Sequence, residues 1–406
     1  MADDDSGTRT FQRRVFYIPG YDPIHPRRYR ELYRREGRAQ AALSGYTLAL
    51  KPKKAPGPYG WKVRTVIDGQ PTEAAVEVLV WSDIVRGSMD QGVLSTYLQL
   101  LRTGWAYLGS GALFRLARLR KGPMIAALYP FGVLLAQLAL AVGVGWGLAL
   151  IVALLTGLWW AGIGPGLAAG WALLRWFKWQ DHRIFAYYLM HDYAYSAQSG
   201  GANPPDLEAR MSAFRQTIAE AMREPVDEVL VVGHSSGAHL AVSILADLVR
   251  DGVSGPALGL LTLGQVVPMV SFLPRAVRLR RDLAYLSART EVTWVDVTAP
   301  GDGCAFALCD PVAVTGVAPP DKIWPLVVSA AFTRTLSPNR WKELRWKFFR
   351  LHFQYLCAFD NLTGGPDDYD YFRVTAGAQT LAARYAGRSP SKSRIETPLS
   401  GYRSVA

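Results

Sequence analysis

Short apolar runs alternate along this chain with longer stretches of helical spacing. Residues 15–18 (Val-Phe-Tyr-Ile) form a β-branched and aromatic run closed by Pro-Gly, which predicts a buried strand. Residues 27–43 are charged with helical spacing, and the Pro/Gly/Lys stretch 51–60 reads as a connector. Residues 61–67 alternate as a half-exposed strand, Asp68-Gly69 marks a turn, and 75–81 is the next strand. Residues 93–120 are apolar and basic, a helix expected either at a membrane interface or packed on the main domain. Further on, 205–222 predicts a helix with Asp206 as its N-cap. Strand 226–232, helix 236–250, strand 257–263, helix 276–288 and strand 291–297 follow. This alternation predicts an α/β fold with a doubly wound, mainly parallel sheet. Residues 1–10 and the Ser/Pro/basic stretch 388–406 are expected to be disordered, and 324–357 has no clear pattern.

One segment breaks the alternation. Residues 122–174 contain no Asp, Glu, Lys or Arg. One membrane span needs about 20 apolar residues and three need about 60 plus turns, so two fit. Gly143-Val-Gly-Trp-Gly147 is the expected turn, leaving spans near 124–143 and 148–172. A buried hairpin of a soluble core is the alternative, but core helices of such length normally carry a polar stripe. Here Gln137 is almost the only strongly polar side chain. Arg115, Arg118, Arg120 and Lys121 precede the segment, and Arg175, Lys178 and Arg183 follow it. The positive-inside rule then puts both flanks and both termini on the cytoplasmic face of the cell (inner) membrane, with Trp171, Trp176 and Trp179 as an interfacial belt. The expected organisation is one α/β domain in two parts, 11–121 and 176–387, interrupted by a transmembrane hairpin at 122–175.

Composition narrows the partners. The 406 residues are 50% hydrophobic and 19% charged, with a mean hydropathy of +0.07, an apolar excess that the hairpin segment accounts for. The net charge of +12 could serve nucleic acid or anionic lipid. The basic residues bracket the apolar run and no nucleic-acid-binding motif is evident, so the lipid bilayer is the expected partner and nucleic acid is not. Cys304, Cys309 and Cys357 are too few and odd in number for a disulfide framework, which fits reduced thiols in a cytosol. No secretory signal is evident, and neither a cofactor nor a metal is expected.

The strongest motif is Gly233-His-Ser235-Ser-Gly237, preceded by an apolar run and followed by an amphipathic helix. A bare G-x-S-x-G is a weak signal; its strand and helix context gives it weight. A serine on a sharp strand-to-helix turn needs small residues two positions either side, which Gly233 and Gly237 supply. The helix N-terminus offers N–H groups and a dipole for negative charge on a substrate oxygen.

On these residues the chain resembles the α/β-hydrolase superfamily, whose members carry nucleophile, acid and histidine in that order. The resemblance implies Ser235 as nucleophile. Beyond it lie only His239, one turn into the same helix, and His352, which is therefore the expected base. His234, beside the nucleophile, is expected to be a structural neighbour. Asp302, in a glycine-flanked loop after strand 291–297, is the expected acid, with Asp296 and then Asp310 as alternatives. The oxyanion hole is expected from the backbone N–H groups of Ser236 and Tyr21. Gly20 would allow close approach, and Asp22 would either hold that loop by an Asx-turn or donate its own N–H. Two features depart from the common pattern. The leading antiparallel strands are absent or displaced to 46–67, and the hairpin precedes the nucleophile.

The function this implies is a membrane-anchored serine hydrolase cleaving acyl esters of lipophilic substrates, esterase- or lipase-like, through an acyl-enzyme. A thioesterase or acyltransferase would use the same machinery, and a non-catalytic membrane scaffold on the same fold is the alternative class. The oligomeric state is not legible in the sequence.

Overall fold

The computed structural model describes residues 9–365 and 368–406. Apart from Arg9 and Thr10, the terminus expected to be disordered lies outside the described residues.

Eight strands build one sheet: β1 (Phe11–Ile18), β2 (Thr47–Pro52), β3 (Gly60–Ile67), β4 (Gln70–Val78), β5 (Glu228–His234), β6 (Ala257–Leu263), β7 (Val292–Thr298) and β8 (Leu326–Ser329). Their order is β2-β3-β4-β1-β5-β6-β7-β8. From β4 to β8 every pairing is parallel, whereas β2–β3 and β3–β4 are antiparallel. The antiparallel edge comes from residues 47–78, just C-terminal to the first central strand. Every residue of β5 is buried, as a strand covered on both faces requires. Separate apolar cores fill the two faces, one around Val15, Val232 and Tyr355, the other around Phe16, Val231 and Leu245.

The helices that shape the molecule are α1 (Arg27–Ser44), α2 (Val93–Gly109), α3 (Lys121–Thr156), α4 (Ile163–Trp179), α5 (Ala186–Ala197), α6 (Pro205–Ala221), α7 (Gly237–Arg250), α8 (Val277–Ser287) and α9 (Phe348–His352). Asp206 does not cap α6. Pro205 is its first residue and Pro204 holds the cap position with no side-chain bond. Proline suits that first position because its missing N–H has no partner there anyway. β2 and β3 pair antiparallel within 46–67, where displaced antiparallel strands were one of the two expectations, whereas β8, four residues long, carried no sequence signal strong enough to predict it.

The apolar segment forms a hairpin, but its turn is not where the glycines suggested. α3 runs through Gly143–Gly147 without a break, and the chain reverses at residues 157–162. The expected helix bounds 124–143 and 148–172 therefore give way to those of α3 and α4, and α4, with 17 residues and with Arg175 and Lys178 near its end, does not qualify as a second span by length and composition. The glycines serve a helix crossing. A Cβ on Gly145 would lie 2.6 Å from Gly166 O, and one on Gly166 2.5 Å from Gly145 O, so only bare backbones fit. α3 is, among the described residues, the one helix long and apolar enough to cross a membrane; its most apolar window has a mean hydropathy of 2.5 and is 11% buried.

α2 packs one face against the body, where Leu100 joins Leu134, Tyr187 and Met190. Its other face exposes Leu94, Leu98, Leu101, Trp105 and Leu108. Residues 388–406, expected to be disordered, instead lie along the body. Ser391 N–H donates to Val327 O at 2.8 Å, Ile395 N–H to Leu308 O at 2.7 Å, and Arg280 Nε to Ser404 O at 2.8 Å. Composition could not anticipate this, because the partners are backbone groups and a buried arginine distant in sequence.

Candidate active site

The β5–α7 junction is built around a crowded turn. Ser235 takes φ +55°, the left-handed region that a serine rarely occupies, and its N–H donates to Leu263 O at 2.9 Å. A Cβ at Gly237 would come within 2.2 Å of Ile18 O, and one at Gly233 within 2.7 Å of Gly237 O. The turn is thereby wedged against the end of β1, which carries Pro19-Gly20-Tyr21 over it. Gly20 is itself in contact with Ser235, since an added Cβ would lie 2.9 Å from the serine Cβ. Asp22 secures this loop as an Asx-turn, its Oδ1 accepting from Ile24 N–H at 2.9 Å and its Oδ2 from Tyr29 Oη–H at 2.6 Å. Among the described residues neither the Tyr21 nor the Ser236 backbone N–H donates a hydrogen bond. Both flank Ser235 and remain available to an acceptor.

His352, at the end of α9, is buried. Its Nδ1 donates to Asp302 Oδ2 at 2.7 Å. Tyr355 Oη–H donates to the same oxygen at 3.0 Å, and Cys304 N–H donates to Asp302 Oδ1 at 2.9 Å. Burial pushes the Asp302 carboxyl up, but His352 and these donors outweigh it and hold the pKa below the usual carboxylate value. The other ring nitrogen, Nε2, is buried without a partner, and no hydrogen bond joins it to Ser235 Oγ. Both side chains line one cavity of about 740 Å³.

The alternative acids are occupied elsewhere. Asp296 lies within β7, where Oδ1 accepts from Thr262 Oγ1–H at 2.6 Å, and burial pushes its pKa up to about 8. Asp310 caps a short helix through Val312 and Ala313 N–H and pairs with Lys322 at 2.7 Å. His234 donates Nε2–H to the His352 carbonyl at 3.0 Å and packs against its ring at a tilt of 37°. Burial, and then the charge of His352, push its pKa down to about 3, so it supports the site as a neutral ring. His239 is buried in α7, with its pKa pushed down to about 4 by burial.

Two residues escaped the sequence reading. Tyr355 clamps Asp302 while its oxygen accepts Ala299 N–H at 3.0 Å. Three residues from His352, nothing local distinguished it from other aromatics. Asp192, on α5, lines the cavity with Ser235 and His352. A lone acid in the aromatic run Tyr187–Tyr195 was its only available signal.

The cavity wall is mainly apolar. Its lining includes Ile125 (67% exposed) and Tyr129 from α3, Phe185, and Trp346 (71% exposed) with Phe348. Arg183, Lys347 and Arg350 also line it. Asp302, Cys304 and His352 bring one potential metal-ligand atom each within 4.8 Å of one another. The carboxylate is already committed to His352 and Tyr355, however, and burial followed by the Asp302 charge raises the Cys304 thiol well above its usual pKa. A protonated thiol is a poor ligand, so hydrogen bonding describes the cluster better than ligation.

The fold and site thus define an α/β protein with a serine at a strained strand-to-helix turn and a His–Asp pair beside it. Comparison with protein-family profiles, with curated proteins and with solved structures finds no match for the chain.

Proposed function

We propose that this protein is a membrane-anchored serine hydrolase of the α/β-hydrolase type that cleaves acyl esters of lipophilic substrates. The observation that carries the reading is the oriented imidazole: Nδ1 is held by Asp302 at 2.7 Å, while Nε2 is unpartnered in a residue that shares one cavity with Ser235. Ser235 Oγ attacks the ester carbonyl as His352 Nε2 takes its proton. Asp302 keeps the ring in the tautomer that leaves Nε2 free and stabilises the imidazolium without being protonated. The free N–H groups of Tyr21 and Ser236 receive the negative charge on the carbonyl oxygen. His352 then returns the proton to the leaving alcohol, and a water activated by the same ring releases the acid from the acyl-enzyme. The missing Ser235–His352 bond is compatible with this, since such bonds are often long before substrate binds.

Anchoring is supported by the hairpin. At about 1.5 Å per residue, α3 is about 54 Å long, well over the roughly 30 Å of a bilayer's hydrocarbon. Leu154 and Leu155 near its end are 83% and 82% exposed, a poor arrangement in water. Because the chain turns back along α4, both flanks share one side, and their arginines and lysines favour the cytoplasmic face. Ile125 and Tyr129 belong to this same helix and line the cavity, which favours a lipophilic substrate reaching it from the bilayer surface.

A fluorophosphonate probe tests the chemistry. The wild-type protein is expected to be labelled at Ser235 and Ser235→Ala is not. Equal labelling of both would overturn the assignment. No labelling and no turnover by a folded wild type would move the reading to a scaffold on a hydrolase fold.

A further inference from the structure

Asp192 stands apart from the other carboxylates around the site. Asp22 is satisfied by Ile24 N–H and Tyr29, Asp302 by His352, Cys304 and Tyr355, and Asp181 by the N–H groups of Tyr187 and Tyr188. Among the described residues Asp192 makes no hydrogen bond and no ion pair. Of the hydroxyls close enough to feel its charge, that of Tyr107 donates to Met269 O at 3.0 Å and that of Tyr188 to Tyr21 O, while that of Tyr193 makes no hydrogen bond among the described residues. Asp192 lines the cavity that holds Ser235 and His352. It also lines an adjoining cleft with Tyr21, Ser236 and His239, next to the N–H groups assigned to the oxyanion. Burial, only partly offset by His352, pushes its pKa up to about 7. Asp192 is half-buried, so in the empty cavity its carboxylate is left to water, and a donor arriving in the cavity would take the place of that water.

The surroundings indicate what kind of donor. Arg183 lines the cavity with no acidic partner among the described residues, while Lys347 and Arg350 share the single Glu343. These three charges oppose a cationic substrate, and so does the imidazolium that His352 becomes during turnover. A neutral hydroxyl meets the need without adding charge.

Building on the hydrolase reading, we infer that Asp192 is a substrate-recognition residue whose carboxyl accepts a hydrogen bond from a hydroxyl of the ester, so that the enzyme prefers hydroxyl-bearing acyl esters to plain alkyl esters. Such a hydroxyl could sit on the alcohol side, as in a partly acylated polyol, or on the acyl chain. A pocket that binds a hydroxyl discriminates against analogues lacking it, because the bound analogue covers the acceptor and leaves it unpaired.

The test uses the full chain in detergent micelles with three esters: 1-octanoylglycerol, methyl 3-hydroxyoctanoate and methyl octanoate. The wild type is expected to show kcat/KM at least about tenfold higher for one of the two hydroxy-esters than for methyl octanoate, and which one identifies the side carrying the hydroxyl. Asp192→Leu should remove that preference, lowering kcat/KM at least about tenfold more for the favoured hydroxy-ester than for methyl octanoate, and Asp192→Asn, whose amide oxygen still accepts, should keep part of it. No preference in the wild type, or equal slowing of all three esters by Asp192→Leu, overturns the inference. Fluorophosphonate labelling of Ser235 in the same samples separates the two levels. An unlabelled, inactive wild type overturns the hydrolase reading and this inference with it, whereas a labelled wild type without preference overturns only the latter. Should Asp192→Leu fail to label, Asp192→Ala is scored by the same criteria.

Discussion

His352 Nδ1 and Asp302 Oδ2 lie 2.7 Å apart although 50 positions separate them in the chain. The aspartate follows β7 and the histidine ends α9, and Tyr355 fastens the aspartate from the other side. The pair gives the imidazole one orientation, which in the proposed reaction decides whether Nε2 carries a lone pair or a proton.

Asp302→Asn should therefore present the wrong tautomer and lower kcat by about 10³- to 10⁴-fold on a soluble chromogenic ester. Asp296→Asn should change it less than about threefold, because Asp296 bonds Thr262 within the sheet. Comparable losses in the two variants would relocate the acid.

The same two residues should act oppositely on stability as pH changes. Asp302 is depressed below the usual carboxylate value when folded, so its stabilisation is complete above about pH 4 and is lost only as pH falls through the folded value. Asp296 is raised to about 8. Between about pH 4 and that value the folded protein keeps a proton that the unfolded chain has released, so stability declines as pH rises. Thermal melts of Asp296→Asn should decline less than wild type between pH 5 and pH 8. Parallel curves would contradict the burial assigned to Asp296.

The position of the hairpin turn can be read by cysteine labelling. Added side chains at Gly143 and Gly164 both meet open space, so neither substitution should disturb packing. With Cys304, Cys309 and Cys357 replaced by Ala, Gly164→Cys beside the turn should react with an impermeant maleimide from the side opposite the α/β domain. Gly143→Cys, within α3, should stay protected. The reverse pattern would put the turn back at 143–147.

A stability prediction concerns Arg13 and Glu228, which pair at 2.6 Å between β1 and β5, both buried. Arg13 Nη1 also donates to Gly377 O at 2.7 Å, so the pair ties the sheet to the C-terminal part of the chain. Glu228→Ala leaves a guanidinium buried without its counter-charge and should cost about 3–5 kcal/mol. Arg13→Met with Glu228→Leu should recover much of the loss, as measured by chemical denaturation in detergent.

What was legible depended on how local the constraint was. The turn around Ser235 announced itself because a strained serine needs small residues at fixed offsets, and Gly233 and Gly237 lie at those offsets. His352 and Asp302 follow only from the order of nucleophile, acid and histidine that the resemblance to the α/β-hydrolases implies, His352 as the remaining histidine and Asp302 from its loop between glycines. The glycines of 143–147 misled because a small residue serves a turn and a close helix crossing equally well, and only Gly166 on the facing helix separates the two. Strand β8 and the 388–406 segment were missed because each draws its stability from distant partners, β8 from β7 and the segment from the body.

By itself the sequence determined the alternating α/β plan, the apolar stretch and the chemically distinctive turn at Ser235, since periodicity, charge depletion and glycine spacing act over a few residues. Only the tertiary structure decided which carboxylate meets His352, where the apolar hairpin reverses, and that Asp192 faces the cavity without a partner. These are matters of proximity between segments far apart in the chain. Packing and desolvation, which give each carboxyl its own environment, arise only once those segments are brought together.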